Sequence, residues 1–314
     1  MRRPHRRPAG QPLSARLPGL VVAAHGRHCL VESPDGARRI CHPRGKKSQA
    51  VVGDRVQWQP PPAGQGDEGT IEAVEPRRNL LYRQDEVRTK SFAANIDQVL
   101  VLVAAEPEPS EHQLARVLIA AEAEHIAPLV VLNKRDLEQP FARAWQRLAP
   151  YAAMGYPLHA ASLRREGAGA LPALLQGRAT LVLGPSGAGK STLINLLVPG
   201  AAAQTQEISQ ALKSGRHTTT TTTWYWIDAA RSTAVIDSPG FQEFGLRQIA
   251  PRELAGLMPD IAAHAGDCRF YNCTHLHEPG CAVLAAVGEG GPVEPRRHAI
   301  YRALFEELSQ PPRY

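Results

Sequence analysis

Short apolar runs separated by turn residues fill the chain from about Gly19 to Tyr82. The stretch LVVAAHGRHCLVES, then PDG, then ARRICHP predicts a hairpin turning at Pro34-Asp35-Gly36, because Pro, Asp and Gly each favour turn backbone. VVGDRVQW follows, then the breaker-rich PPPAGQGDEG, then TIEAV. About five short strands with no helical periodicity predict a small β-barrel of the OB type, and an SH3-like barrel would leave the same pattern.

From about Asn95 the pattern alternates between strands and helices. IDQVLVLVAA and APLVVL are apolar runs suited to strands buried on both faces. Between them Leu114, Val117, Leu118 and Ala121 recur at helical spacing, and Ser110 with Gln113 forms a capping-box start. A second helix is expected over Phe141 to Tyr151. RATLVL, a helix from Lys190 to Leu197 and STAVI complete a parallel α/β sheet covered by helices on both faces. Past Gly245 the strand signal stops, and a last helix carries Ile300, Leu304 and Leu308 on one face. The expected organisation is a basic, disordered tail over 1–17, a barrel over 18–83, an α/β domain over 88–244 and a small helical domain over 245–314.

Composition narrows this picture. A chain of 314 residues with 43% hydrophobic and 21% charged residues is globular, and long enough for two or three domains. No apolar run approaches the roughly 18 residues needed to span a bilayer. The Arg-rich N-terminus has no apolar stretch behind it, so no secretory signal is expected and the cytoplasm is. The net charge of +6 is partly held in the tail, where Arg2, Arg3, Arg6, Arg7 and Arg16 face no acid; the tail is either a phosphate-seeking arm or a solubilising one.

Gly184-Pro185-Ser186-Gly187-Ala188-Gly189-Lys190-Ser191-Thr192 satisfies GxxxxGK[ST] between a predicted strand and a predicted helix. Glycines let main-chain N–H groups close around phosphate oxygens, and the helix start adds its positive dipole end. Lys190 is expected on the β- and γ-phosphates and Ser191 on Mg²⁺. Asn133-Lys134-Arg135-Asp136 ends another strand and names the base. Guanine offers two neighbouring donors to one carboxylate, and adenine lacks that pair. Asn133 is expected on the base's other edge, and the Lys134 stem over a ring face. Asp237-Ser238-Pro239-Gly240 follows STAVI: Asp237 suits Mg²⁺, and the Gly240 N–H suits a γ-phosphate. Between these lie Gly215-Arg216-His217 and Thr218 to Thr223; Thr219 is the favoured third Mg²⁺ ligand.

The order is unusual, since NKRD precedes the phosphate loop and DxxG comes last. That is a circular permutation of a GTPase domain, and it runs DSPGF almost directly into the C-terminal region. There, Cys268, Cys273, His275 and Cys281 make a complete tetrahedral Zn²⁺ set with no position left for substrate water, hence a structural ion. It is expected to replace a hydrophobic core that some seventy residues can hardly build. Cys29 and Cys41 are expected as buried thiols, and His264 and His277 as non-ligands.

On NKRD, GPSGAGKST, GRHTTT, DSPGF and CRFYNCTHLHEPGCAV, the chain resembles the ribosome small-subunit-dependent GTPase A family (RsgA). The resemblance covers nearly everything after the tail. It implies an OB-fold, a permuted GTPase domain and a zinc-binding domain, in a cytoplasmic GTPase that binds the 30S subunit and its 16S rRNA late in maturation, with hydrolysis stimulated by the subunit. A monomer binding GTP and GDP, and no membrane, is expected. Pro185, Ala188 and Thr192 differ from the family's common GQSGVGKSS while keeping the backbone cradle. Phe241 stands where many GTPases place a water-orienting glutamine, and the resemblance puts His217 in that catalytic role. RNA contact is expected through Arg44, Lys46 and Lys47 and through Arg77 and Arg78, by phosphate and shape more than by base readout. Rival readings are a GTPase acting on another RNA or translation step, and an RNA chaperone that holds GTP as a structural ligand.

Overall fold

The structure is a computed structural model that describes residues 16–45, 49–61, 64, 66–86, 89–212, 222–240 and 243–311. The tail up to residue 15, Lys46, Lys47, Gly215 to Thr221 (with His217 and Thr219) and Phe241 lie outside the described residues.

Five strands form the barrel: β1 (Leu17–His25), β2 (His28–Glu32), β3 (Arg38–Pro43), β4 (Arg55–Gln59) and β5 (Gly69–Val74). The turn at Pro34–Gly36 forms as expected, closed by Ser33 N to Ala37 O at 2.9 Å. The run before it is two strands instead of one, because Gly26 takes φ +59° and reverses the chain. Neighbours run β1-β2-β3-β5-β4, with β3 and β5 parallel and β4 closing on β1. That Greek-key closure is the OB arrangement and decides against an SH3-like barrel.

The α/β part comprises β8 (Gln98–Ala104), α1 (Glu111–Ala123), β9 (Ala127–Asn133), α2 (Glu138–Ala153), β10 (Leu158–Ala160), α3 (Leu163–Glu166), α4 (Leu171–Leu175), β11 (Ala179–Leu183), α5 (Lys190–Leu197), α6 (Ala201–Ala211), β12 (Thr222–Trp226) and β13 (Ala234–Asp237). Strands β10-β9-β8-β11-β13 are parallel, and every residue of β8 is buried, as a strand covered on both faces requires. Ser110 caps α1 by accepting from Gln113 N at 3.3 Å. The capping box is only half formed, since the buried Gln113 side-chain oxygen has no partner among the described residues.

Two features escape the sequence pattern. A hairpin of β6 (Leu80–Gln84) and β7 (Thr89–Ala94) sits where the boundary between barrel and α/β domain was expected. Strand β12 joins the sheet antiparallel to β13 and also pairs with β1. The nine-residue β1 divides one edge: Leu17 to Leu20 face β4, while Ala23 and Ala24 face β12. A register shift between Val21 and Ala23 accompanies that division. Barrel and parallel sheet are thus one hydrogen-bonded surface.

The C-terminal region holds a 3₁₀ helix (Pro251–Leu257), α7 (Pro259–Ala265), α8 (Ala282–Ala286) and α9 (Pro295–Ser309). Ile300, Leu304 and Leu308 are buried on α9 as their spacing predicts. Their cluster continues through Ile261, Phe244 and Tyr151 to Leu114 and Val117 of α1. So the region shares the core of the α/β part, and the expectation of a metal standing in for a missing core is corrected. Among the described residues no helix is long and apolar enough to cross a membrane.

Candidate nucleotide and metal sites

The parallel register brings three distant motifs to one edge. Val182 aligns with Asp237, Leu183 with Val101, Ala104 with Asn133 and Leu132 with Ala160. The carboxyl ends of β8, β9, β11 and β13 therefore form the rim on which ligands of open α/β sheets bind.

The loop from Gly184 to Gly189 leaves β11 and ends at the first turn of α5. A side chain at Gly184 would put its Cβ 2.2 Å from Leu102 O, so the loop packs directly on β8. Gly189 caps α5 at φ +108°, and its Cβ would lie 2.5 Å from Asn133 Nδ2. Ser186, Gly187 and Ser191 are exposed, and Ala188 is buried. Lys190 folds over the loop and donates to Gly184 O (2.8 Å) and Pro185 O (3.1 Å). Burial lowers its pKa while the charge of Asp237 opposes that shift. Asp237 in turn is pushed up to about 6 by burial, against the pull of Lys190. Ser238 donates to Val182 O at 2.9 Å and fixes the strand end. A Cβ on Gly240 would sit 3.0 Å from Lys190 Nζ, so this glycine closes on the same ammonium.

Asn133 is 5% exposed, and both ends of its amide are bonded. Nδ2 donates to Ala188 O (2.9 Å), and Oδ1 accepts from Leu163 N (3.1 Å). Asn133 thereby ties the phosphate loop to the segment after β10, with a second N–H and a second lone pair left on its amide. Lys134 takes φ +67° and donates to Glu106 O, and Arg135 pairs with Glu166 at 2.8 Å in solvent. Asp136 is exposed and accepts from Ser162 Oγ at 2.6 Å. That bond, then its own main-chain N–H and the charges of Arg165 and Arg164, hold the carboxyl below its ordinary range.

The Ala160 to Ser162 segment packs against NKRD. Ala161 N donates to Leu132 O (2.8 Å), and Arg135 N donates to Ala161 O (3.0 Å). Ser162 is 2% exposed and aims its hydroxyl at Asp136.

In the C-terminal region the ligand atoms of Cys268, Cys273, His275 and Cys281 all lie within 4.8 Å of one another. Cys268 Sγ stands 3.8 Å from Cys281 Sγ, and His275 Nδ1 stands 3.4 and 3.6 Å from those two sulfurs. Tetrahedral ligands about 2.3 Å (sulfur) or about 2.0 Å (nitrogen) from one ion sit about 3.5 to 3.8 Å apart, so the residues fit a metal. Glu278 shapes the loop by accepting from Thr274 N (2.8 Å), Leu276 N (3.2 Å) and His277 N (3.3 Å). Burial opposes its charge, yet these bonds and that of the Thr274 hydroxyl keep its carboxyl well below the usual range. His298 Nε2 meets His275 O at 2.7 Å, and Tyr301 OH donates to Thr274 O at 2.9 Å, which anchors the loop to α9. His264 and His277 stand outside the cluster.

The RsgA GTPase family model matches residues 74–247, more than half of the chain. The chain belongs to that family. The small ribosomal subunit biogenesis GTPase RsgA of Variovorax paradoxus is 67% identical over 99% of both chains. Its counterpart from Paraburkholderia phytofirmans is 51% identical over 95% of this chain and 96% of the relative. Among solved structures, YjeQ from Thermotoga maritima superposes with a TM-score of 0.71 at 30% identity, covering 94% of this chain and all of YjeQ. YloQ, described as a circularly permuted GTPase, gives 0.69 at 27% identity over 98% of this chain and all of YloQ. The family's permuted order, the OB-type barrel and the C-terminal Cys/His cluster are thus present together in this chain.

Proposed function

We propose that this chain hydrolyses GTP in the service of small ribosomal subunit maturation, binding the 30S particle and its 16S rRNA in the cytoplasm as a monomer. The observation that carries the reading is one sheet edge holding a phosphate cradle, a guanine-selective carboxylate and a Mg²⁺-suited aspartate. The names of the relatives support the ribosomal part of it.

On this reading Asp136 accepts the two guanine donors, and Ser162 keeps it ionised and oriented. Arg135 and the Lys134 stem flank the base. Main-chain N–H groups of Gly184 to Thr192 hold the phosphates. Lys190 leaves the carbonyls of Gly184 and Pro185 for phosphate oxygens, exchanging neutral partners for charged ones. Mg²⁺ would be held by Ser191, Asp237 and Thr219, and it supplies charge neutralisation on the transferring phosphoryl group. The Gly240 N–H meets the γ-phosphate, and His217 orients the attacking water. The ion at Cys268, Cys273, His275 and Cys281 is zinc, for which three thiolates and an imidazole are a preferred closed set. Arg44 and Arg78, each exposed beside one acid, supply phosphate contacts to rRNA, whereas the Arg77 guanidinium is committed to the buried Asp54.

The test is GTP turnover with and without 30S subunits, with ATP as the control nucleotide. Feeble intrinsic turnover, raised by 30S subunits and absent with ATP, is expected. Equal turnover with and without subunits would overturn the ribosomal assignment, and loss of the stimulation in His217→Ala would place that residue.

A further inference from the structure

At the opposite edge of the sheet, where β11 and β13 begin at Ala179 and Ala234, barrel and α/β part enclose a cleft of about 540 Å³. A second hollow of about 350 Å³ adjoins it through Arg55, Glu75, Trp226 and Arg231. The larger volume falls in the range of small-molecule sites at domain junctions, roughly 300 to 1,000 Å³, and far exceeds a lone anion. The pairing of β1 with β12 holds its two walls together.

Two groups lining the cleft lack partners among the described residues. Trp224 is 5% exposed, and its indole N–H meets no acceptor among the described residues. A buried donor left unmade is an uncommon expense, and a ligand acceptor would relieve it. The tryptophan beside it differs, since Trp226 Nε1 donates to Glu32 at 2.8 Å. The second group is Arg55. Arg77 is held by Asp54 (2.7 Å), Arg78 by Asp97 (2.7 Å) and Arg231 lies 3.6 Å from Glu32, whereas the exposed Arg55 guanidinium has no partner among the described residues. The acids facing the cleft, Glu75 and Asp97, are themselves engaged by Gln57 and Arg78. What remains is a free cation and an orphan donor beside an indole pair whose rings stand 5.2 Å apart.

We propose that this cleft is a second ligand site, for one phosphorylated nucleoside unit whose phosphate meets Arg55 and whose base lies against the Trp224 and Trp226 wall. It stands apart from the guanine site, at the far ends of the same strands. The lining is mixed, with Arg77, Arg78 and Arg231 beside acids and Arg55 left over next to two indoles, and an unpaired cation beside indole rings suits a phosphate and a base together. The unit comes either from a free nucleotide or from an RNA strand.

The test titrates the full chain, its guanine site filled with GDP, with uridine 5′-monophosphate, a uridine hexanucleotide and plain uridine. Saturable binding of the monophosphate at one per chain, weakened about tenfold in Arg55→Gln, is expected, a loss on the scale of one charge-assisted hydrogen bond. Plain uridine should bind far more weakly. Trp224→Phe keeps a ring and removes the N–H, and should weaken binding severalfold with GDP affinity unchanged. Because Arg55 is exposed, Arg55→Gln keeps the test decisive if the buried Trp224 variant fails to fold. Tighter binding of the hexanucleotide names RNA as the source, and equal or weaker binding names the free nucleotide. No saturable binding of either phosphorylated probe, or identical binding by wild type and Arg55→Gln, would overturn the site. Intact GDP binding in the same samples separates that failure from a failure of the GTPase reading.

Discussion

The barrel and the C-terminal region are both small units that carry cysteines, and they solve the problem of size in opposite ways. The barrel keeps a core of its own around Val21, Val31, Val56, Trp58 and Ile71, with Cys29 and Cys41 as apolar filler facing each other across β2 and β3, and lends only its other face, through Val22, Ala23 and Leu30, to the shared core. The C-terminal region merges its apolar residues with α1 and α2 and gathers its cysteines with His275 into a metal-fitting cluster. It is also bolted on by charge. Arg297, 2% exposed and held within the region by Asp260 of α7 at 2.9 and 3.0 Å, lies 5.0 Å over the Tyr151 ring of α2. Arg116 of α1 meets Glu307 of α9 and donates to Phe244 O. A thiol therefore has no fixed meaning in this chain, and its neighbours decide whether it packs or ligates.

Metal removal should separate the two units most sharply. Stripping the ion, or Cys281→Ser, forfeits several kcal/mol of local stability, since structural ion binding is worth roughly 10 kcal/mol or more. Amide exchange over 268–286 should then accelerate by orders of magnitude while β2 and β3 keep their protection. Equal acceleration in both units would break the comparison.

Next in size is the buried ion pair. Arg297→Ala leaves Asp260 charged and unpaired, and should destabilise the protein by about 3 to 5 kcal/mol in urea unfolding. Replacing both partners with apolar residues of similar volume should recover most of that. A loss as large in the double variant would show that the pair itself, and not the orphaned charge, sets the stability.

The smallest effect is in pH, and it has opposite signs in the two units. Burial pushes the Cys29 thiol up to about 12 and the Cys41 thiol up to about 11, against an ordinary value of 9.0. Between pH 9 and 11 the unfolded chain therefore holds fewer protons than the folded one. The stabilisation is complete below pH 9 and is lost as pH rises, by up to about 1.4 kcal/mol per pH unit for each thiol. Metal-binding thiols respond the other way, because protons compete with the ion and acid releases it. Unfolding midpoints from pH 7 to 11 for wild type and for Cys29→Ala with Cys41→Ala check the first half. A slope that survives the double variant would refute it.

The sequence made the nucleotide edge legible because phosphate and base recognition demand fixed residue types at fixed spacing, on strands whose apolar runs mark them as parallel. The elements that escaped depend on partners far along the chain. β12 is readable as a threonine-rich stretch, but its antiparallel place between β13 and β1 follows from Ala23 meeting Thr223, some two hundred residues away. The β6–β7 hairpin carries mixed residues because Leu81 and Phe92 are buried while Arg83 and Lys90 are not. At the site, Asp136 was legible and its support was not: Ser162 reaches it only because β10 lies beside β9. Asn133 was legible from its motif, whereas its bonds to Ala188 and Leu163, which tie the phosphate loop to the segment after β10, depend on chain crowding that no local pattern shows.

Competition between guanine and adenine nucleotides for the wild-type chain and for Asp136→Asn tests the central claim most directly. Wild type should prefer GDP over ADP by at least about a hundredfold, and the variant should lose most of that preference, because an amide cannot accept from both guanine donors. Comparable affinity of the wild type for the two nucleotides, or undiminished guanine preference in Asp136→Asn, would contradict the account.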